Sequence, residues 1–209
     1  MLVSILSLFV SCKKKEIEYY QNGNIKSVIE YRKGKEHGMT TYYDDYYSRP
    51  ILEIMMKNGK QNGKMTRYFF NGNIESVAYY KDNIQEGKYQ EFGLKGNPVI
   101  ECYYVDGKKT GDYVVYHETG IIKEKGAFKD DFFDGKWEYF DDRGFPIGEG
   151  EFENGTGYLT NYDLKGQLYR TTHYKDNMKD GEDIFFYPNG DTLKIVTYSE
   201  DRIQFLREL

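Results

Sequence analysis

Residues able to do chemistry are few and scattered in this chain. Its three histidines, His37, His117 and His173, show no paired spacing, such as the i, i+4 arrangement on a helix, that would hold a metal ion. They read as solvated turn or strand residues, and no metal site is expected. Three carboxylate pairs, Asp44-Asp45, Asp130-Asp131 and Asp141-Asp142, invite a general acid/base or cation-binding reading. Each stands in or beside a predicted turn, where Asp is favoured because its carboxylate bonds the nearby backbone. The Gly pairs that recur along the chain do not open a helix, so they lack the helix N-terminus that cradles phosphate. No catalytic residue and no cofactor is therefore expected. Cys102 lies mid-strand in Glu101-Cys102-Tyr103-Tyr104, without a basic cluster to lower its pKa, and reads as a packed small residue rather than a nucleophile.

Cys12 is different. The chain opens on an apolar run, Met1-Leu2-Val3-Ser4-Ile5-Leu6-Ser7-Leu8-Phe9-Val10-Ser11, followed by Cys12 and then Lys13-Lys14-Lys15. The run is too short to cross a bilayer as a helix and has the length of a signal-peptide core. With Ser11 directly before the cysteine, it resembles a bacterial lipoprotein signal. That resemblance implies a signal peptide over residues 1–12, lipidation at Cys12 and a polar tether over residues 13–18. The expected location is the bacterial cell envelope, on the periplasmic side or the cell surface; the alternative, if the signal is not used, is the cytoplasm. With Cys12 lipidated, Cys102 has no partner for an intrachain disulfide.

The elements that must position everything else are repeated hairpins. An aromatic residue precedes a tip glycine by four positions at Tyr19, Tyr68, Phe92, Tyr116, Phe140, Tyr162 and Phe186, and Tyr43 with Ser48 fills the same places in the second copy. A second column of large apolar residues follows: Tyr31, Met56, Tyr80, Tyr104, Phe128, Phe152, Tyr174 and Tyr198. A third column, Gly38, Gly63, Gly87, Gly111, Gly135, Gly157 and Gly181, ends each return turn. A fixed period over so many copies marks a repeat architecture. Asn22-Gly23, Asn71-Gly72 and Asn189-Gly190 are hairpin signals, because both residue types accept the positive φ of the tight turns that join paired strands. Three residues past each second aromatic stands Gly, Asn or Asp, from Gly34 to Asp201, a column set by left-handed backbone geometry.

Connections this short force each strand to pair antiparallel with its sequence neighbours. The sequence therefore predicts an all-β fold, an elongated single antiparallel meander of eight hairpins over residues 19–204, twisted and coiled, with residues 205–209 as a cap. About sixteen strands would give a sheet on the order of 75 Å long. By strict alternation the row two residues past the return glycine, which includes Tyr89, Tyr113 and Trp137, faces away from the first aromatic column. The first column is expected to serve as core if the sheet coils on itself. Tyr89, Tyr113 and Trp137 are then the candidate binding surface, since Tyr and Trp dominate binding hot spots.

The pattern Tyr-Tyr/Phe-x-Asn-Gly-x-Ile followed by Tyr-x-x-Gly-Lys-x-x-Gly resembles the MORN-type repeat in its longer bacterial variant. Gly34-Lys35-Glu36-His37-Gly38, Gly59-Lys60-Gln61-Asn62-Gly63 and Gly107-Lys108-Lys109-Thr110-Gly111 carry its return turn. The resemblance implies a scaffold or binding surface with no catalytic residue; some bacterial members carry a toxin–antitoxin label. At a net charge of -5 with acidic and basic residues interleaved, no basic stripe marks a nucleic-acid binder. The expected function is non-enzymatic: an envelope lipoprotein presenting a Tyr-rich surface to a protein or glycan partner, with a membrane contact through its lipid. The alternative is an antitoxin or immunity-type protein that neutralises a toxin by direct binding.

Overall fold

The computed structural model describes residues 13–209. Residues 1–12, including the predicted signal and Cys12, lie outside the described residues. The described chain is all-β and antiparallel, as the hairpin spacing predicts. It forms two compact units, one ending at Ile84 and the next beginning at Gln85. The first holds β1 (Lys13–Tyr19), β2 (Ile25–Arg32), β3 (Lys35–Tyr43), β4 (Pro50–Lys57), β5 (Lys60–Tyr68) and β6 (Ile74–Lys81). After the two-residue β7 (Ile84–Gln85) come β8 (Gly87–Phe92), β9 (Pro98–Val105), β10 (Lys108–Tyr116), β11 (Ile122–Lys129), β12 (Phe132–Phe140), β13 (Pro146–Glu153), β14 (Thr156–Tyr162), β15 (Leu168–Lys175), β16 (Met178–Phe186), β17 (Thr192–Ser199) and β18 (Arg202–Glu208). From β1 to β6, and again from β8 to β18, each strand pairs antiparallel with the next in sequence.

Both ends of the array differ from the sequence reading. Residues 13–18, expected as a tether, form most of β1, because Lys13 to Glu18 find backbone partners from Arg32 back to Ser27. At the other end, Phe205 to Glu208 continue β18 against Thr197 to Lys194 rather than forming a separate cap. Ladder hydrogen bonds do not depend on side-chain polarity, so a charged segment beside an open edge pairs as readily as an apolar one.

The two kinds of turn have different chemistry. At the return end, both central residues have positive φ in every copy; Asp82 and Asn83, for example, have φ of 51° and 74°. This is the primed turn that matches strand twist. The tips, where Asn-Gly suggests the same turn, are built otherwise. Gly72 has φ 88°, whereas Asn71 is not among the residues with positive φ. Gly72 N–H donates to Phe69 O at 2.9 Å, and Phe69 N–H to Asn73 O at 2.8 Å. That is a type I turn followed by a left-handed glycine bulge. Asn71 acts through its side chain, its Oδ1 accepting Asn73 N–H at 2.9 Å. Ser48, at φ 55°, does occupy the glycine place of the second tip.

Adjacent return turns are stitched together. Asn83 N–H donates to Gln61 O, Asp131 N–H to Lys109 O and Asp201 N–H to Lys179 O. Their side-chain oxygens accept the reciprocal N–H groups of Gln61, Lys109 and Lys179 at 2.7, 2.8 and 2.7 Å. Asn83, Asp131 and Asp201 in this column are thus each bonded to the backbone of the neighbouring turn through both main chain and side chain. At the shortened sixth turn, where Gly155 has no side chain to offer, Asn177 reaches over it. Asn177 Oδ1 accepts Phe133 N–H and its Nδ2 donates to Asp131 O, both at 2.8 Å. A Cβ on Gly155 would meet Asn177 Oδ1 at 2.8 Å. Asn177→Ala removes both bonds and leaves two backbone groups without them, an expected loss of about 1–2 kcal/mol. Urea denaturation followed by circular dichroism checks this, and an unchanged midpoint would dismiss the strap.

Candidate functional site

Register decides which face is which, because residues directly opposite in an antiparallel ladder share a face. In the second unit one cross-strand line runs Tyr89, Cys102, Tyr113, Gly126, Trp137, Gly150, Leu159, Thr172, Asp183, Val196, with Gly126 meeting the Trp137 ring at a bulge and not through a ladder pair. In the first unit the equivalent line is Ile29, Thr40, Ile54, Met65, Ala78. Cys102, Trp137, Thr172, Asp183 and Val196 on the first line, and Thr40 and Ala78 on the second, are all buried. This line is the core.

The candidate row Tyr89, Tyr113 and Trp137 therefore does not form the expected binding surface. Trp137 is 2 % exposed, and Tyr89 and Tyr113 are half-buried. The reason lies in the residues opposite. Large rings alternate across the strands with Cys102, Gly126 and Gly150, so each ring lies over a neighbour with little or no side chain. The second aromatic column adds a tier on the same face, because each return glycine pairs opposite the second aromatic of the next copy: Gly111 with Phe128, Gly135 with Phe152, Gly157 with Tyr174. The result is a continuous set of edge-to-face and tilted contacts, with ring centroids 5.1 Å apart for Tyr113–Phe128, 5.2 Å for Phe128–Trp137, 4.8 Å for Phe133–Trp137 and 5.4 Å for Phe133–Phe152. Trp137 Nε1 also donates to Ala127 O at 3.2 Å. Burial pushes the Tyr89 and Tyr113 hydroxyls up to about 12, with the Glu91 and Glu124 carboxylates adding to it.

Glu124 faces this aromatic tier, opposite Tyr139. Desolvation raises its pKa, and Lys123 only partly offsets that. A carboxyl whose folded pKa exceeds its unfolded value binds more protons folded than unfolded, so its contribution to stability falls as pH rises from the ordinary Glu range through the raised value. Glu124→Gln is expected to be more thermostable than the parent at neutral pH and indistinguishable from it well below the ordinary Glu range. Melting curves across that window check this, and an equal shift at every pH would exclude titration of Glu124.

The opposite face is wet and ionic. Lys125 meets Glu138 at 2.8 Å, Lys88 meets Glu101 at 3.2 Å and Lys136 meets Glu149 at 3.7 Å. The first aromatic column lies here: Tyr68 and Tyr162 donate to Glu53 and Glu149 at 2.7 and 3.1 Å, and Lys125 Nζ sits 5.5 Å from the Phe140 ring centre. The first column is thus not the core.

His117, His173, Asp44 and Asp141 have structural explanations. His117 Nε2 is 2.9 Å from Phe140 O and His173 Nδ1 is 2.8 Å from Glu182 O, both backbone contacts between neighbouring strands or tips. Asp44 accepts the N–H groups of Tyr47, Tyr46 and Arg49, which hold its carboxyl below the usual range, the Tyr47 bond most of all. Asp141 similarly accepts from Arg143 and Phe145. No group of three or more metal-ligating side chains occurs among the described residues. Cys102 is buried, and desolvation pushes its thiol up.

What the aromatic spacing did not reveal is the tip edge. Two residues before the left-handed tip position stand Tyr46, Phe70, Leu94 and Leu164, with Tyr46 78 %, Phe70 74 % and Leu164 76 % exposed. In the first unit Tyr47 packs edge-on against Tyr46 at 4.7 Å, Arg49 Cζ lies 5.1 Å over the Tyr47 ring, and Arg49 also donates to Phe70 O at 3.2 Å. These are large apolar residues at one phase of four tips, where turn chemistry calls for polar ones; Gln21, Glu118, Asp142 and Pro188 hold that phase in the other four.

Segments 14–33, 61–82 and 109–130 match the family model for the MORN repeat variant. Three hairpins of this chain are thus similar to the MORN repeat variant. The matched segments correspond to the β1–β2, β5–β6 and β10–β11 hairpins, each with its tip at the centre. The MORN repeat family is generally non-catalytic and suggests a repeat-type binding scaffold. No curated protein matches the chain. Among solved structures, the "Crystal Structure of TcdB2-TccC3-Cdc42" aligns over 88 % of this chain and 14 % of that one, at 12 % identity and a TM-score of 0.17. The chain thus spans a small part of that protein's length.

Proposed function

We propose that this protein is a non-enzymatic binding scaffold of the bacterial envelope, held to the membrane by lipid on Cys12, whose tip edge engages a protein or glycan partner. The observation that carries the binding reading is the exposed apolar column at the tips. Tyr46, Tyr47 and Phe70 stand on rigid bulged turns, pinned by the Asp44 and Asn71 side chains. Exposed aromatic side chains on a preformed edge bind with little ordering cost, and contiguous exposed apolar groups mark interaction sites. The apolar run before Cys12 supports the anchor, and the MORN-type repeats support the scaffold.

The test uses the full-length chain in a Gram-negative host, fractionated and weighed intact beside Cys12→Ala, with crosslinking of the envelope fraction. A lipid-modified chain beginning at Cys12, with a discrete crosslinked partner that is lost in the Tyr46→Ala/Tyr47→Ala/Phe70→Ala variant, is the expected result. A soluble chain retaining Met1 would overturn the anchor. A partner retained by the triple variant would overturn the tip-edge surface.

A further inference from the structure

The first hairpins carry a line of cations that the fold leaves unneutralised. Lys13 on β1 pairs directly with Arg32 on β2, and Arg32 pairs on its other side with Lys35 on β3. Like charges directly opposite on neighbouring strands destabilise a sheet. Elsewhere a ladder places acid against base, as in Lys125 with Glu138, and the like pairs that do occur, Lys57 with Lys60 and Glu138 with Glu149, are not extended to a third like charge. Three nearby acids are already engaged, Glu30 with Lys15 at 3.7 Å, Glu16 with Lys14 at 3.4 Å and Glu18 with Lys26 at 3.2 Å, and Glu36 stands opposite Tyr31, one residue out of the Arg32–Lys35 pair. Among the described residues no carboxylate pairs with Lys13, Arg32 or Lys35, and residues 1–12 contain no Asp or Glu that could. These strands also frame a cavity of ≈ 360 Å³ lined by Lys13, Lys15, Arg32 and His37, together with the Glu30 carboxylate. A second observation falls at the same place. His37 Nδ1 is buried with no hydrogen-bond partner, and a buried polar atom left so calls for an explanation.

We infer that this cavity is an anion site for a phosphate or phosphate monoester group. A dianion between Lys13 and Arg32 relieves the cross-strand repulsion, and the Arg32 guanidinium offers the fork of N–H donors that matches phosphate oxygens. Lys35 extends the positive field to the third strand. The line of three is confined to the first hairpins: at the equivalent place Lys57 faces only Lys60, Val105 faces Lys108, Lys129 faces Phe132 and Lys175 faces Met178.

The group could come from free phosphate or from a lipid headgroup, and one experiment separates them. Inorganic phosphate is titrated at constant ionic strength into the full chain while the His37 ring and Arg32 amide resonances are followed. Saturable shifts are expected, weakened about tenfold or more in Arg32→Gln and in Lys13→Gln and unchanged in Lys129→Gln, an exposed lysine outside the site. Vesicles of phosphatidylcholine with and without a phosphomonoester lipid form the second arm. Vesicle binding that needs the phosphomonoester, is competed by phosphate and is lost in Arg32→Gln identifies a headgroup as the source. Phosphate binding lost in Arg32→Gln without vesicle binding identifies a soluble phosphate. Shifts that never saturate, or that weaken equally in Lys129→Gln, would overturn the site and leave only diffuse attraction. Arg32 is exposed, and an unchanged circular dichroism spectrum for Arg32→Gln confirms that the loss is not one of folding.

Discussion

Trp137→Ala is expected to lower the unfolding free energy by about 3–5 kcal/mol, the range for removing a large buried aromatic side chain. The ring touches Tyr113, Phe128, Phe133 and Tyr139, so its removal opens a cavity in the middle of the aromatic tier. Trp137 is the chain's single tryptophan, so the variant is followed by far-ultraviolet circular dichroism in urea. The parent's own fluorescence reports burial of the ring. The complementary test is Gly126→Ala. A Cβ there would clash with the Trp137 indole ring, and the overpacking costs about 1–3 kcal/mol. In a Trp137→Leu background the same methyl has room and its cost should largely vanish. Additive losses in that double-mutant cycle would show that glycine and ring are not coupled, and the account of the core would fail.

The second large effect is expected at Asp183. It holds the position occupied by Trp137 and Tyr113 in earlier copies, is 0 % exposed, and meets Arg170 through two hydrogen bonds of 2.7 and 2.6 Å. Thr172 Oγ1 donates a third at 2.9 Å, and Lys179 Nζ stands 3.9 Å away. The Asp183 hydrogen bonds and charge raise the Arg170 pKa, and Arg170 Cζ also packs 4.8 Å above the Phe185 ring. Asp183→Ala leaves the partly exposed guanidinium and the Thr172 hydroxyl without their shared partner, at an expected cost of about 2–3 kcal/mol. Replacing both charges, as in Asp183→Leu/Arg170→Met, should restore most of the loss, because the desolvation penalty disappears with the charges. If the double variant is as unstable as Asp183→Ala, the pair contributes something other than mutual neutralisation.

Some of this was legible in the residues alone, and the division follows the range of the forces involved. Period, hairpins and strand class follow from local turn chemistry. A glycine such as Gly72 or a side chain such as Asn71 either satisfies its own turn or does not, and no distant residue is consulted. The left-handed return column, from Gly34 to Asp201, is likewise a matter of backbone geometry within each turn. The choice of core face is not local. Strict alternation separates Trp137 from Phe140, but it does not say which of them is covered. That is decided across strands, where the return-turn bulge sets Gly126 beside Trp137 and pairs Gly135 with Phe152. These partners come from different hairpins, so a row of rings reads as a surface until the glycines opposite it are known. Burial of Asp183 and the reach of Asn177 over the shortened turn have the same origin, for each is satisfied by a partner on another strand or turn. The sequence by itself determined an all-β repeat with defined turns, through forces acting within a few residues; the tertiary structure alone decided which face is core, because burial depends on what lies one strand away.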